Sequence, residues 1–306
     1  FVGSRGLGDV YKRQYQNIAE GKTKIIIGTH AVFQEGVTYK DLSLVIYDEQ
    51  HRFGVSQRLK LKEKAENYPH QLLLSATPIP RTMAMGVLSG LDISTIKSLP
   101  PNRTPIVTTT LPNNRRDALI NRIKSAINKN SQVYWVCPLI DESESELIGI
   151  EDLEKILKKE FDSQDYEIIH GKMKDMDKQK ILSDFKEKKT KILLATTVIE
   201  VGIDVPDANI MVIENSERFG LAQLHQLRGR VGRGEKESFC ILMHNDSLTE
   251  LPEKRLQIIT ETNDGFVIAE EDLKLRGPGD ILGLSQTGQP SFCLLYTSDA
   301  ADDRLS

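Results

Sequence analysis

Short apolar runs separated by helix-like polar stretches constrain the fold of this 306-residue chain more than any other feature. Each run is continuous rather than alternating, which is typical of strands buried on both faces of a parallel sheet. Segments such as RRDALINRIKSAINKN and IEDLEKILKKEF lie between the runs and give a β-α-β-α order, so we predict the α/β class. The runs are KIIIGT, LSLVIYDE, HQLLLSAT, SQVYWVCPLI, DYEIIHG, TKILLATT, ANIMVIEN and SFCILMH.

A proline-rich stretch, SLPPNRTPIVTTT, separates three of these runs from the other five. Prolines restrict both themselves and the residue before them to extended backbone, which predicts a stiff linker. The two terminal segments differ in composition from the rest, and we expect them to be foreign to the fold or unstructured. The predicted division is a terminal segment over 1–14, a first domain over 15–98, the linker over 99–112, a second domain over 113–250, a helical segment over 251–292 and a terminal segment over 293–306.

Composition excludes several classes of protein. A hydrophobic content of 39% and a charged content of 27% fit a globular chain without membrane spans. The net charge of −4 argues against a surface coated in basic residues, although a local basic groove would still suffice for nucleic acid. Three cysteines, an odd number without metal-ligand spacing, predict a reduced, cytoplasmic setting.

Gly21-Lys22-Thr23 resembles the end of a phosphate-binding loop, but the rest of that motif is missing. The motif G-x-x-x-x-G-K-[ST] needs a glycine at position 16, where this chain has Gln16. The order is also reversed, because the apolar run follows the glycine instead of preceding it. We interpret Gly21 as the cap of a helix that leads into a strand.

Asp48 and Glu49 follow directly after the apolar run LSLVIY. Ligands of open parallel sheets bind beyond the carboxyl ends of the strands, so both carboxylates would lie at such an edge. There, one carboxylate could hold Mg²⁺ on a nucleotide and the other could deprotonate the attacking water. Two acids that cap the next helix are the alternative.

Three further motifs favour the catalytic interpretation. SAT ends another apolar run, ATTVIEVGIDVP follows a run of the second domain, and QLHQLRGRVGRG places arginines on a glycine-punctuated segment. Arginines can neutralise charge on a phosphoryl group during transfer, although such a cluster alone would suggest a nucleic-acid surface.

The order of these four motifs resembles the superfamily 2 helicases and translocases. GTHAVFQ, YDEQHRFGVSQR, SATPIPRTMAM and QLRGRVGRG are similar to the RecG family, and residues 264–288 resemble the translocation motif that follows the motor domains there. Mfd-like transcription-repair coupling translocases share the RFGV and TPIPRT stretches and remain an alternative. The resemblance covers about residues 15–292 and implies two RecA-like motor domains, the first of them truncated, followed by a small helical segment. We expect the family's wedge domain and phosphate loop to be missing from this chain.

The resemblance also implies a role for individual residues. Asp48 would hold Mg²⁺ through ATP, Glu49 would activate water, and Arg233 would be the arginine finger. The coupling residues would link hydrolysis to movement along DNA, and the DNA-facing residues would contact the backbone. The implied catalytic residues are Asp48, Glu49, Arg230 and Arg233; the nucleotide-binding residues are Gln50, His51, Gly202, Asp204 and Gln226; the coupling residues are Ser75, Thr77, Arg276 and Gln286; and the DNA-binding residues are Thr29, His30, Thr196 and Thr197.

By resemblance, the parent protein is an ATP-driven helicase that remodels branched double-stranded DNA, such as stalled forks and Holliday junctions, in recombination and repair. We expect ATP and Mg²⁺ as cofactors, branched DNA as the partner, a monomer, and a bacterial, nucleoid-associated location. A catalytically inactive DNA-binding fragment is the alternative for this chain as it stands. An RNA helicase is a further alternative, against which residues 264–288 argue.

Overall fold

The computed structural model of the protein describes residues 5–49, 61, 64–65, 68–75, 92–96, 98, 104–138, 148–196, 205, 207–234 and 236–276. The chain forms two compact units, divided between residues 76 and 77. No helix in the described parts is both long and apolar enough to cross a membrane.

The first unit contains a helix and a small parallel sheet. Helix α1 spans Arg5–Ala19, and strand β1, Leu44–Tyr47, pairs in parallel with strand β2, His70–Leu73. Alternate residues of β1 point inward, so Val45 and Tyr47 are buried while their neighbours are exposed. They pack with Phe33 and Leu61 in a core cluster of the described residues.

Two predictions for this unit differ from the structure. Helix α1 already runs through residues 5–14, which we expected to be foreign or unstructured. The run KIIIGT forms no strand: Ile25 is 80% exposed and Ile27 is 95% exposed. A strand needs a hydrogen-bonded neighbour, and the two described strands of this unit pair with each other. The predicted glycine cap is confirmed, because Gly21 ends α1 with a left-handed φ of 71°.

The second unit is a parallel sheet of six described strands in the order β3-β8-β7-β4-β6-β5. The chain alternates between strands and helices, as the sequence predicts. The strands are β3 Ile106–Pro112, β4 Gln132–Val136, β5 Tyr166–Ile169, β6 Ile192–Ala195, β7 Ala208–Ile213 and β8 Ser238–His244; the helices are α2 Arg116–Ile127, α3 Ile148–Glu160, α4 Asp175–Lys186, α5 Leu221–Arg228, α6 Glu250–Glu261 and α7 Gly265–Arg276.

Strand β3 corrects the predicted linker. We expected residues 99–112 to form an extended connection, but Ile106–Pro112 pairs along its whole length with Ser238–His244 of β8. The β-branched run IVTTT favours a strand, and β3 lies at the edge of the sheet. Prolines are tolerated at edge strands, where one side of the backbone has no partner strand.

Both faces of the second sheet are covered. On one face, α2 and α3 pack on Val133, Trp135 and Val212, and on the other face α5, α6 and α7 pack on residues such as Met211 and Leu242. Every residue of β4, β6 and β7 is buried, in agreement with the continuous apolar runs. Helices α6 and α7 pack on each other and on α5, which confirms helices in the first part of the predicted helical segment.

Candidate functional site

Asp48 and Glu49 lie where the sequence places them, immediately after β1. Asp48 is exposed and Glu49 is half-buried. The amide of Leu74 donates to the carbonyl oxygen of Tyr47 over 2.8 Å, so β1 and β2 continue to pair beyond their formal ends. Ser75 follows β2 by two residues and is exposed, so it lies at the same carboxyl edge as the two acids.

Glu49 has an unusual backbone conformation. Its φ angle is +52°, in the left-handed region that disfavours residues with a Cβ atom. Such a conformation costs about 1–3 kcal/mol, and such residues cluster at active sites and ligand clamps. Three other residues with a Cβ atom, Asn130, Lys188 and Asn215, adopt the same region in turns, so this conformation alone does not separate the catalytic interpretation of Glu49 from the capping alternative. The catalytic role of Glu49 stays a prediction.

The two carboxylates fit a magnesium ion that arrives with a nucleotide. Mg²⁺ prefers hard oxygen ligands and is usually bound by one or two carboxylates together with substrate phosphates. Asp48 offers an exposed carboxylate at a strand end, which meets this requirement. Within the described residues, no group of three or more His, Cys, Asp or Glu side chains could hold a metal ion by itself.

Thr29 and His30 lie at the start of a short 3-10 turn, His30–Phe33. Thr29 is the residue before the turn; its side chain is exposed and makes no capping hydrogen bond. An exposed hydroxyl beside a turn of backbone amides could bind a phosphate group. The predicted contact of Thr29 and His30 with DNA stays a prediction.

The arginine-rich segment after α5 has a defined backbone. Val231 is fully buried and anchors the segment, and Gly232 has a left-handed φ of 78°. A Cβ atom at Gly232 would lie 2.9 Å from Cγ1 of Ile106, so this turn requires glycine. The turn leaves Arg230 half-buried and Arg233 exposed.

Arg228, in the same motif, differs from the other two arginines. It is 2% exposed, and its Nη1 donates to the carbonyl oxygens of Ile259 and Thr262 over 2.7 and 2.8 Å. These are carbonyl groups at the carboxyl end of α6, where a cation is favourable. Burial lowers the pKa of Arg228, although the guanidinium still stays charged at neutral pH. Arg228 thus fastens the arginine-rich segment to α6, while the half-buried Gln226 lies on α5.

Sequence reasoning missed a polar cluster at the carboxyl ends of the second sheet. Glu214 follows β7 and accepts hydrogen bonds from both Nη atoms of Arg116, over 2.5 and 2.8 Å, and from Nε1 of Trp135 over 2.9 Å. Burial lowers the pKa of Arg116, but the hydrogen bonds and the charge of Glu214 outweigh it, so the pKa is raised. Burial and Glu214 also raise the pKa of the Cys137 thiol.

A signal for this cluster was present in the sequence. Glu214 ends the apolar run ANIMVI just as Asp48 ends LSLVIY, and Trp135 is the single tryptophan of the chain. The partner, Arg116, lies 98 positions before Glu214, so only the fold brings the pair together. Asn113 extends the cluster, because its Oδ1 accepts a hydrogen bond from Arg116 over 3.3 Å.

The position of Thr196 in the structure disagrees with its predicted role. We expected its hydroxyl to contact the DNA backbone, but Thr196 is fully buried and its amide donates to Ile169, on the neighbouring strand, over 3.3 Å. It continues β6, an interior strand of the sheet, and this position shields the side chain. The described structure therefore does not present its hydroxyl to a ligand.

Several predicted site residues lie outside the described residues. Arg276 is the last residue of α7, and only its backbone is described. The others are Gln50, His51, Thr77, Thr197, Gly202, Asp204 and Gln286.

Three family models match consecutive parts of the chain. The model of the DEAD/DEAH box helicases matches residues 2–85, and the helicase conserved C-terminal domain matches residues 114–235. The model of domain 3, C-terminal, of the ATP-dependent DNA helicase RecG matches residues 262–305. Two of the matches extend into the terminal segments, 1–14 and 293–306, that we expected to be foreign.

Curated relatives and a solved structure agree with these matches. The ATP-dependent DNA helicase RecG of Pasteurella multocida (strain Pm70) is 51% identical over 93% of this chain and 42% of its own length. That of Escherichia coli (strain K12) is 51% identical over 91% of this chain and 41% of its own length.

The solved structure of RecG bound to a three-way DNA junction is 41% identical, with a TM-score of 0.69, over 93% of this chain and 36% of that one. The chain thus spans about two fifths of the length of the curated relatives it matches. The four predicted motifs, the RecA-like parallel sheet and these similarities lead to one conclusion: this chain belongs to the RecG family of ATP-dependent DNA helicases.

Proposed function

We propose that this chain is the part of an ATP-driven helicase that couples ATP hydrolysis to movement on double-stranded DNA. The substrate is branched DNA, such as a stalled fork or a Holliday junction, and the process is recombination and repair. Such a protein works in the bacterial cytoplasm, at the nucleoid, and we expect it to act as a monomer.

One observation carries this proposal. A RecG structure that resembles 93% of this chain was solved with a three-way DNA junction bound. The match of residues 262–305 to a RecG domain favours this function over that of an Mfd-like translocase or an RNA helicase. The position of Asp48 and Glu49 directly after β1 is consistent with ATP hydrolysis as the chemistry.

The residues of the first unit would act on the nucleotide. Asp48, exposed at the edge of the sheet, would hold Mg²⁺, which screens the phosphate charge when it is bound. Glu49 would accept the proton of the attacking water. Gln50 and His51 follow in sequence and would sense the nucleotide.

The arginine segment would stabilise the charge that develops during phosphoryl transfer. Arg233 is exposed on the Gly232 turn and is therefore the arginine finger in this proposal. Arg230 and Gln226, both half-buried, would support it together with Gly202 and Asp204.

Another set of residues would act on DNA or couple the motor to it. Thr29, His30 and Thr197 would contact the backbone. Ser75, Thr77, Arg276 and Gln286 would transmit nucleotide state to the movement of the duplex. The burial of Thr196 argues for a packing role at that position instead of a DNA contact.

A binding protein without turnover is a second candidate for the 306-residue chain alone. It is favoured by the lack of a G-x-x-x-x-G-K-[ST] motif in the printed sequence. Without this motif, the chain lacks the backbone amides and the lysine that would hold the β- and γ-phosphates of ATP. A DNA-stimulated ATPase assay on this chain distinguishes the two candidates, and turnover above background would exclude the second.

Paired assays on the full-length protein from the same gene test the assigned roles. Arg233→Ala should lower ATPase activity roughly a thousandfold or more, because charge on the phosphoryl group is no longer neutralised. Arg276→Ala should keep basal ATPase activity but lose unwinding of a model fork. Equal loss of ATPase activity in both variants would refute the separation between nucleotide and DNA roles.

A further inference from the structure

A shallow groove of about 650 Å³ lies between α2 and the amino ends of β7 and β8. It is on the sheet face covered by α2 and α3, and it contains none of the residues assigned to ATP or DNA. Glu214 and its partners lie at the opposite ends of the same strands. The groove is therefore separate from the chemistry proposed above.

The floor of the groove is apolar. Ile210 and Phe239 line it and lie side by side in the register of β7 and β8. Val107 of β3 continues this row, because it pairs with Phe239 on the other side. Exposure rises along the row from 7% at Ile210 to 37% at Phe239 and 50% at Val107, so apolar surface stays open to solvent.

The rim of the groove is basic. Arg122 and Lys129 lie on the α2 side and Lys236 on the strand side, and among the described residues that line the groove the acid is Glu237. The Nζ atom of Lys236 also lies 3.9 Å from Oδ1 of Asp207. Arg122 and Lys129 are exposed and form no ion pair within the described residues. Lys236 is held in place because its Nζ donates to the carbonyl oxygen of Asn130 over 3.0 Å. The rim thus favours an anionic ligand.

A buried acceptor completes the groove. Asn209 also lines it, is 7% exposed, and occupies a shift in register between β4 and β7. Its Nδ2 donates to the carbonyl oxygen of Glu237 over 3.0 Å, while its Oδ1 is shielded and has no hydrogen-bond partner in the described part of the chain. An unsatisfied buried acceptor of this kind is costly to the folded protein.

We propose that this groove docks an acidic peptide segment of a partner protein that also carries apolar side chains. Acidic residues match the basic rim, and apolar side chains match the row of Ile210, Phe239 and Val107. A nucleic-acid backbone would match only the rim, because its phosphates and sugars would leave the apolar row uncovered. Binding here leaves the nucleotide and DNA residues accessible.

The test measures binding of a fluorescein-labelled acidic peptide of about ten residues, with leucine and phenylalanine among its glutamates, to the whole 306-residue chain. Arg122→Glu with Lys129→Glu should weaken binding about tenfold or more, because two attractive charges become repulsive. The matched control, Lys180→Glu with Lys186→Glu, makes the same change in charge at exposed sites on α4 and should leave affinity within about twofold.

A variant without a change in charge tests the shape of the groove. Ser125 is exposed on α2 and lines the groove, so Ser125→Trp should block it and lower peptide affinity about tenfold. Thermal unfolding would verify that each variant is folded. The proposal is overturned if the unchanged chain does not bind the peptide, or if the groove variants and the α4 control weaken it equally. It is also overturned if the groove variants impair binding of a single-stranded oligonucleotide but not of the peptide.

Discussion

At the scale of single residues, the buried carboxylate of Glu214 joins side chains from different elements through hydrogen bonds. It is 3% exposed, yet its oxygens accept three hydrogen bonds, two from Arg116 and one from Trp135. A charge is stable in such a place only when partners replace water. The pair therefore fixes the carboxyl end of β7 against the start of α2.

Removing this carboxylate should destabilise the second unit strongly. Glu214→Ala leaves the Arg116 charge half-shielded and the Trp135 N–H unsatisfied, so the free energy of unfolding should fall by about 3 kcal/mol. Denaturant titration followed by the fluorescence of Trp135, the single tryptophan, would measure it.

Lys155→Ala is the matched control for this measurement. Lys155 pairs with Asp152 in the same unit, but both side chains are largely exposed, at 74% and 67%. Its loss should change the free energy of unfolding by no more than about 0.5 kcal/mol. If the two variants lost equal stability, burial would not explain the contribution of Glu214 to the free energy of unfolding.

At the scale of elements, the turn at Gly232 sets the direction of the arginine segment. Gly232→Ala should cost about 1–2 kcal/mol, because φ is 78° and the new Cβ would meet Ile106 at 2.9 Å. In the Ile106→Ala background the clash is absent but the backbone strain remains, so Gly232→Ala should cost less there than in the unchanged protein. Urea titration followed by Trp135 fluorescence measures each variant.

Gly229 provides the control for this turn. It lies three positions earlier with φ of −65°, and a Cβ there would make ordinary contacts at 3.4 Å or more. Gly229→Ala should therefore be neutral or stabilise the protein by about 0.5 kcal/mol. A similar loss for both glycines would show that the conformation of Gly232 does not matter.

Strand β3 leads to a prediction about the boundary of the second unit. A polypeptide of residues 104–276 keeps β3 paired with β8, while one of residues 113–276 leaves the edge of β8 uncovered. Both polypeptides have an exposed sheet edge, but β3 has no fully buried residue, whereas Cys240, Leu242 and Met243 of β8 are fully buried. Uncovering the more apolar strand should promote association. Size-exclusion chromatography with light scattering should therefore show a monomer for the longer polypeptide and aggregates for the shorter one. If both were equally monodisperse, the pairing of β3 would contribute nothing to solubility.

At the scale of the whole molecule, local patterns predict the buried strands well. Runs such as TKILLATT and ANIMVIEN form strands because apolar residues on both sides require burial on both faces of a sheet. The run KIIIGT has the same pattern but pairs with no strand among the described residues. Strand β3 follows prolines, which predicted a linker although edge strands tolerate them. Whether each of these two segments forms a strand depends on pairing with a segment that is distant in the sequence. A short stretch of sequence carries no information about that pairing.

The candidate site, too, could be predicted only where a local stretch of sequence marks it. Asp48 and Glu49 stand out because they end an apolar run, and the structure adds that the backbone of Glu49 is strained. Arg228, Arg230 and Arg233 look alike in the sequence, but burial separates Arg228, which fastens α6, from Arg233, which is exposed. The pair of Arg116 and Glu214 could not be predicted, because 98 positions separate its members.

Unwinding of a three-way DNA junction by the full-length protein tests the central claim most directly. The claim is that this chain supplies the catalytic base, Glu49, of an ATP-driven helicase for branched DNA. Glu49→Gln keeps the size and hydrogen bonding of the side chain but removes the proton acceptor. We predict that ATP and junction binding persist while ATP-dependent unwinding falls about a hundred- to ten-thousandfold. Unwinding by Glu49→Gln at nearly the rate of the unchanged protein would contradict the account.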